Sequence, residues 1–211
     1  MIPTKKEWMK ALNDRHGTMF QEKISSTTVA VCGLGGLGSD IAIALARAGI
    51  GKLVLIDFDT VDITNLHRQQ YKANQIGMSK TEALQENLKE INPYLETDIY
   101  TIRLDENNAK NILSGADIIC EAFDNAECKA MLTNFVLDKM QDKYIVAASG
   151  MAGLGSANAI HTRKISKRFY LCGDEVSDVN DGIGLVSSRV MLCAAHQAHT
   201  VLRIIANEFE V

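Results

Sequence analysis

The sequence predicts an α/β fold: a mostly parallel sheet with helices on both faces and antiparallel strands toward the C-terminus. Three observations carry this. Short apolar runs of strand length alternate with segments whose apolar residues recur at helical spacing, the pattern of a parallel sheet covered on both sides. The first such run ends in Gly33-Leu34-Gly35-Gly36-Leu37-Gly38. After Gly150 the alternation stops, and two strand-like runs follow with no helix between them.

Each element has its own signal. Residues 5–24 read as one or two short polar helices broken near His16-Gly17. Thr28 to Gly33 is an apolar run ending in glycine, as a buried strand would. Leu37, Ile41, Leu45 and Ala48 then recur at helical spacing, and Gly49 and Gly51 supply the stop. Lys52 to Asp57 is a second strand. Leu84, Leu88 and Ile91 line a helix from Lys80 to Glu90, halted before Asn92-Pro93. Leu95–Ile102 is a strand, Asn107–Leu113 a helix, Asp117–Ala122 a strand, Ala126–Met140 a helix and Tyr144–Ala148 a strand. Ala157–Thr162 and Phe169–Leu171 are the two late strands, and Ser187–Ala206 is a long final helix.

The chain has 211 residues, 46% hydrophobic and 23% charged, which fits a single domain over 1–211 with an N-terminal helical segment over 1–27. A core of that size needs no staple. The net charge of −4 argues against a broad nucleic-acid-binding surface. No apolar run approaches the roughly 18–20 residues of a membrane span. The first residues lack the apolar stretch of a signal peptide. A cytoplasmic location is expected, with no membrane partner. The five cysteines, Cys32, Cys120, Cys128, Cys172 and Cys193, form no C-x-x-C pair. That argues against a disulfide framework and against a C-x-x-C zinc site.

Gly33 to Gly38 fits G-x-G-x-x-G between a predicted strand and a predicted helix, and Asp57 closes the next strand about 20 residues on, the Rossmann context. Glycines let backbone approach phosphate, the helix N-terminus offers free N–H groups to an anion, and Asp57 is placed to accept from ribose hydroxyls. The motif alone does not separate NAD from ATP. The next stretch does more. Where a dehydrogenase typically moves quickly into its next helix, a polar loop runs from Asp57 to Gln70 and carries Asn65, Arg68 and Gln69, with Lys80 following Gly77. Arg and Lys close to a phosphate-binding loop can neutralise a polyphosphate. Taken singly, each reads as a solvated surface residue.

Together these residues resemble the ThiF/MoeB/HesA family, bacterial relatives of the ubiquitin-activating enzymes. The resemblance rests on Gly33 to Gly38, Asp57-Phe58-Asp59, Asn65-Leu66-His67-Arg68-Gln69 and Gly77-Met78-Ser79-Lys80. It continues through Asn92-Pro93 and Glu121-Ala122-Phe123-Asp124-Asn125 to Ser149-Gly150, and covers roughly residues 15–205. The compact length and residues 149–156 are most similar to the short ThiF branch linked to thiamine biosynthesis. The resemblance implies ATP- and Mg²⁺-dependent adenylation of the C-terminal glycine of a small ubiquitin-like sulfur carrier ending in Gly-Gly, with a sulfur donor downstream. Gly33, Gly35, Gly36 and Gly38 would cradle the nucleotide with Asp57, Asp59, Asn65 and Gln69. Asp57 would hold the ribose, Asn65, Arg68 and Lys80 the phosphates, and Asp124 the Mg²⁺. A homodimer is implied, with Arg15 of Arg15-His16-Gly17 reaching the second copy's nucleotide.

The sequence also departs from that pattern. Many relatives carry two C-x-x-C pairs for structural zinc; here only Cys172-Gly173-Asp174 lies near the first, so no structural zinc is expected. Some relatives have a cysteine before the last helix, whereas residues 179–184 hold none, and Cys172 reads as a buried cysteine near a strand end. Residues 150–155 follow a strand but lead into another strand, so they read as a tight crossing. His161, His196 and His199 form no ligand set and read as surface or interface residues. The competing classes are an NAD(P)-dependent oxidoreductase, the family's tRNA-modifying dehydratase branch, and a non-catalytic scaffold half.

Overall fold

Alternation along the first strand, β1 (Thr28–Cys32), sets the layers of the computed structural model, which describes residues 2–180 and 182–211. Val29 and Val31 pack into one apolar cluster and Ala30 and Cys32 into another, because successive side chains leave a strand on opposite faces. The remaining strands are β2 (Lys52–Ile56), β3 (Glu96–Tyr100), β4 (Ile118–Glu121), β5 (Tyr144–Ala148), β6 (His161–Ser166) and β7 (Phe169–Gly173). They form one seven-stranded sheet in the order β3-β2-β1-β4-β5-β7-β6. Every neighbouring pair is parallel except β6 with β7. The expected α/β class, Rossmann-like with a mixed sheet, is what the chain adopts.

The helices are α1 (Lys5–His16), α2 (Thr18–Ser26), α3 (Gly36–Ala48), α4 (Lys80–Ile91), α5 (Ala109–Leu113), α6 (Ala126–Lys139) and α7 (Ser187–Ala206). Gly17, at φ +81°, ends α1 and separates it from α2, the break expected at His16-Gly17. Helices α2, α3, α4 and α7 bury Ile24, Ile41, Leu84 and Val201 on one face. Helices α5 and α6 bury Leu113, Leu132 and Val136 on the other. Among the described residues no helix is long and apolar enough to cross a membrane.

Several expected boundaries shift, three of them for a reason the structure shows. The strand expected over Ala157–Thr162 begins only at His161; Ala157–Ala159 is a 3-10 turn whose preceding Ser156 hydroxyl accepts from the Asn158 amide at 3.3 Å. The apolar letters of that segment misled, because β6 is an edge strand with a polar sequence, His-Thr-Arg-Lys-Ile-Ser. Charged side chains and the irregular register at Lys164/Ser166 suit an edge that faces water. Helix α5 starts at Ala109 rather than Asn107, since the Asp105 carboxylate takes the Asn107 and Asn108 amides into a turn. The strand expected over Leu95–Ile102 narrows to β3, and the residues after it turn toward the cleft described next.

Candidate active site

In the sheet order, the chain proceeds outward from β1 in one direction and from β4 in the other. The crevice between two such strands, at their C-terminal ends, is where open α/β sheets bind ligands. The loop after β1 is the glycine loop, and the loop after β4 holds Ala122 to Asn125. They flank an open cleft of about 260 Å³.

The glycines make this approach possible. Gly33 sits at φ +90°, and a Cβ there would lie 2.7 Å from the Ala122 carbonyl oxygen. A Cβ on Gly38 would come within 1.8 Å of the Gly33 carbonyl oxygen, so Gly38 lies behind the loop and lets α3 close on the strand. Helix α3 begins at Gly36 with Gly35 as its cap and no side-chain cap, which leaves first-turn amides free for an anion. The Tyr71 hydroxyl donates to the Leu34 carbonyl at 2.7 Å and steadies the loop from below.

Asp57 ends β2 with only 8% of its surface exposed. Its carboxylate accepts from the Leu34 amide at 2.6 Å and the Asp59 amide at 2.8 Å. Burial pushes its pKa above the usual value, against the pull of Lys80 and these amides. Lys80, at the start of α4, is buried and reaches the Asp59 carboxylate at 2.8 Å. Arg68 donates to the Thr64 carbonyl at 3.2 Å, but its Nε is buried without a partner. Gln69 is also buried, and its Oε1 has no partner. Buried polar atoms are rarely left so, and these two belong to residues on the cleft wall.

Gly33, Gly35, Gly36, Asp57, Asp59, Arg68, Gln69, Lys80 and Asp124 all line this one cleft. Three predicted residues do not. Gly38 is behind the loop. Asn65 accepts from the Asp62 amide at 3.0 Å inside a 3-10 turn, and its own carbonyl takes the Arg68 and Gln69 amides, so it shapes the segment that presents them. Arg15 is exposed on α1, away from the cleft lining. Asp124 is exposed on the wall, and the cap of α6 falls to its neighbour: the Asn125 side chain accepts from the Cys128 amide at 3.0 Å.

Sequence reasoning missed the apolar wall of Phe58, Ile102, Leu104, Met151, Leu185 and Val190. Its one available signal was position, since Phe58 and Ile102 to Leu104 follow the ends of β2 and β3. Arg189 and Gln197, both buried on α7, were also missed. Cys172 is fully buried, and burial pushes its thiol up to about 11. His196 hydrogen-bonds Thr162 at 3.0 Å and His199 is exposed. Asp181, within the stretch 179–184 noted for its missing cysteine, lies outside the described residues.

Comparison with known proteins gives a consistent picture. A family model described as the ThiF family matches residues 9–211. The chain is 36% identical over 124 residues to the adenylyltransferase and sulfurtransferase MOCS3 of Caenorhabditis briggsae, covering 58% of this chain and 31% of that one. It is 29% identical over 196 residues to the adenylyltransferase and sulfurtransferase UBA4 of Lodderomyces elongisporus, covering 90% and 42%. The chain thus spans less than half the length of these curated relatives. Among solved structures, the E. coli tRNA N6-threonylcarbamoyladenosine dehydratase TcdA in complex with ATP superposes with a TM-score of 0.86 at 21% identity, over 99% of this chain and 98% of that one. E. coli MccB with MccA-N7isoASN does so at 0.72 and 20% identity, over 91% and 60%.

Proposed function

The chain belongs to the ThiF family, and from that premise we propose that it is an ATP-dependent adenylyltransferase. Its substrate is the C-terminal glycine carboxylate of a small ubiquitin-like sulfur carrier ending in Gly-Gly, activated as an acyl-adenylate on the route to thiamine. The observation that carries the reading is the convergence of Arg68, Lys80, Asp124 and an uncapped helix N-terminus on the switch-point cleft.

The residues present fit a nucleotide. The orphaned Arg68 Nε and Gln69 Oε1 await partners, and at Gly35 the nearest atom to an added Cβ is Gln69 Nε2, 3.8 Å away, which leaves the loop backbone open to a phosphate. They also fit Mg²⁺, which commonly takes one or two carboxylates and completes its shell with phosphate oxygens and water. Among the described residues no group of three His, Cys, Asp or Glu side chains stands together to hold a metal by itself, so phosphate oxygens and water would have to complete the shell. Asp124 would hold the ion, which would screen phosphate charge.

The chemistry asks little else of the protein. A C-terminal carboxyl has a pKa of roughly 3.3–3.7, so it is an anion at neutral pH without a general base. One carboxylate oxygen attacks the α-phosphorus, the bond to the β-phosphate oxygen breaks, and pyrophosphate leaves with the electron pair. Arg68, Lys80 and the α3 amides neutralise the charge that gathers on the phosphates. Asp57 orients the ribose. Lys80 is held by Asp59 at the cleft edge, ready to exchange that carboxylate for a phosphate. In this reading residues 1–211 act as one nucleotide-binding domain in the cytoplasm. Two copies pair so that Arg15 of each reaches the other's nucleotide, and a separate protein donates sulfur.

ATP–pyrophosphate exchange with Gly-Gly-ended carriers tests the proposal. Exchange should require both carrier and Mg²⁺. ATP, and not NAD, should protect Cys128 from alkylation, because Cys128 lines the cleft while the other four cysteines are buried. Protection by NAD alone points to an oxidoreductase. ATP turnover that responds to tRNA and to no carrier points to the dehydratase branch, a second reading favoured by the near-complete overlap with TcdA.

A further inference from the structure

Glu121 is the last residue of β4, and it is a carboxylate with 1% of its surface exposed. A single buried charge is expensive unless it is paired and hydrogen-bonded. Here the pairing is complete. Lys129, one turn into α6, places its ammonium 2.9 Å from Oε2 and 3.0 Å from Oε1. The same Oε1 accepts from the Phe123 amide at 2.8 Å. The Lys129 ammonium also donates to the Phe123 carbonyl at 2.9 Å. Both polar groups of one loop residue are thus gripped by the two members of one ion pair. Gln197 of α7, fully buried, adds a third hold by donating to the Glu121 and Val146 carbonyls at 3.0 and 3.1 Å.

Phe123 is a junction. Its ring carbon Cδ1 lies 3.0 Å from where a Cβ on Gly33 would stand, so the ring packs on the first glycine of the loop. The next residue in the chain is Asp124. We propose that the Glu121–Lys129 pair is a positioning brace: by locking Phe123 it sets the Asp124 carboxylate against the glycine loop at the separation that a metal-bound polyphosphate needs. This rests on the reading of Asp124 as the metal-holding residue. Neither Glu121 nor Lys129 lines the cleft, so neither touches the ligands.

Burial of the carboxylate and its stabilisation by Lys129 oppose each other. Removing Lys129 alone strands a buried charge and risks unfolding. The test therefore uses the double variant Glu121→Gln/Lys129→Met beside Glu121→Gln. In both, the glutamine oxygen can still accept from the Phe123 amide; only the double variant also loses the donor to the Phe123 carbonyl. Calorimetry with a non-hydrolysable ATP analogue, in Mg²⁺ and in EDTA, yields the factor by which metal tightens binding. In the double variant that factor should fall about tenfold while the EDTA affinity stays within about twofold, and amide hydrogen exchange at Phe123 and Asp124 should quicken. A folded double variant with an undiminished metal factor and protected amides overturns the brace. Wild-type protein that binds the analogue equally well with and without Mg²⁺ overturns the metal role of Asp124 instead, and wild-type protein that binds no nucleotide overturns the proposed function. The three failures are separately visible.

Discussion

Two glycine-rich loops leave the C-terminal ends of parallel strands in this molecule, and they do opposite things. Residues 33–38 follow β1 and run straight into α3. Residues 150–155 follow β5 and run into a turn. The first loop meets the cleft at Gly35, where the nearest atom to an added Cβ is Gln69 Nε2 at 3.8 Å, with Arg68 and Lys80 on the wall beside it, while Gly33, Gly36 and Gly38 are packed against protein. In the second, the two members of one ion pair, Asp174 and Arg189, fill the space beside Gly150 and Gly155. A Cβ on Gly150 would lie 2.1 Å from an Asp174 carboxylate oxygen, and one on Gly155 would lie 3.1 Å from the Arg189 guanidinium. Arg189 donates to the Gly155 and Ser156 carbonyls at 2.5 and 2.8 Å and to Asp174 at 2.5 Å. Glycine after a strand therefore marks close approach, and what approaches depends on whether a helix N-terminus or a side chain lies opposite.

That contrast can be broken most forcefully at its two arginines. Arg189→Met takes from Asp174 the cation paired with it and should cost about 3–5 kcal/mol, the scale for a broken buried pair. Thermal or denaturant unfolding reads it, and a loss under about 1 kcal/mol would show the second loop holding itself without the clamp. Arg68→Ala should do the reverse. Stability should change little, while pyrophosphate exchange should fall about 100-fold, near 2.7 kcal/mol of transition-state stabilisation. An Arg68→Ala protein that unfolds early, with exchange unchanged when folded, would erase the distinction.

The smallest expected effect lies in pH. Burial alone would raise the Asp174 carboxyl, but the Ser177 and Val176 amides, the Ser177 hydroxyl and Arg189 outweigh it and hold it at about 2, against an ordinary 3.8. A carboxylate whose pKa is lowered on folding adds stability above its unfolded value and loses it as pH falls toward the folded one. Stability should thus drop by about 1–2 kcal/mol between pH 4 and pH 2 through this group. Asp174→Asn should flatten that part of the profile; an identical slope in the variant would assign the acid sensitivity elsewhere.

Much of this was legible in the chain itself. The grouping of Asp59, Arg68, Gln69, Lys80 and Asp124 came from the resemblance to the ThiF/MoeB/HesA family, while the order of strands and helices, the break at Gly17, the glycine loop and Asp57 follow from local pattern and spacing. These are short-range properties: periodicity reports which face is buried, and a G-x-G-x-x-G turn needs only its own strand and helix. Where the chain misled, the missing information was long-range. The strand expected over Ala157–Thr162 lies instead at His161–Ser166, a polar edge strand defined by its pairing with β7.

What only tertiary structure decided is which charges are spent on the fold and which remain for chemistry. By sequence, Arg68 and Arg189 are both arginines some way downstream of a glycine cluster, and Asp124 and Glu121 are both acids at or just past the end of β4. Folding brings Asp174 onto Arg189 and Lys129 onto Glu121, while among the described residues Arg68 forms no ion pair and Asp124 stays exposed on the cleft. No local rule predicts this, because the cost of a buried charge is met by partners that α6, α7 and the loop after β7 deliver only once they pack.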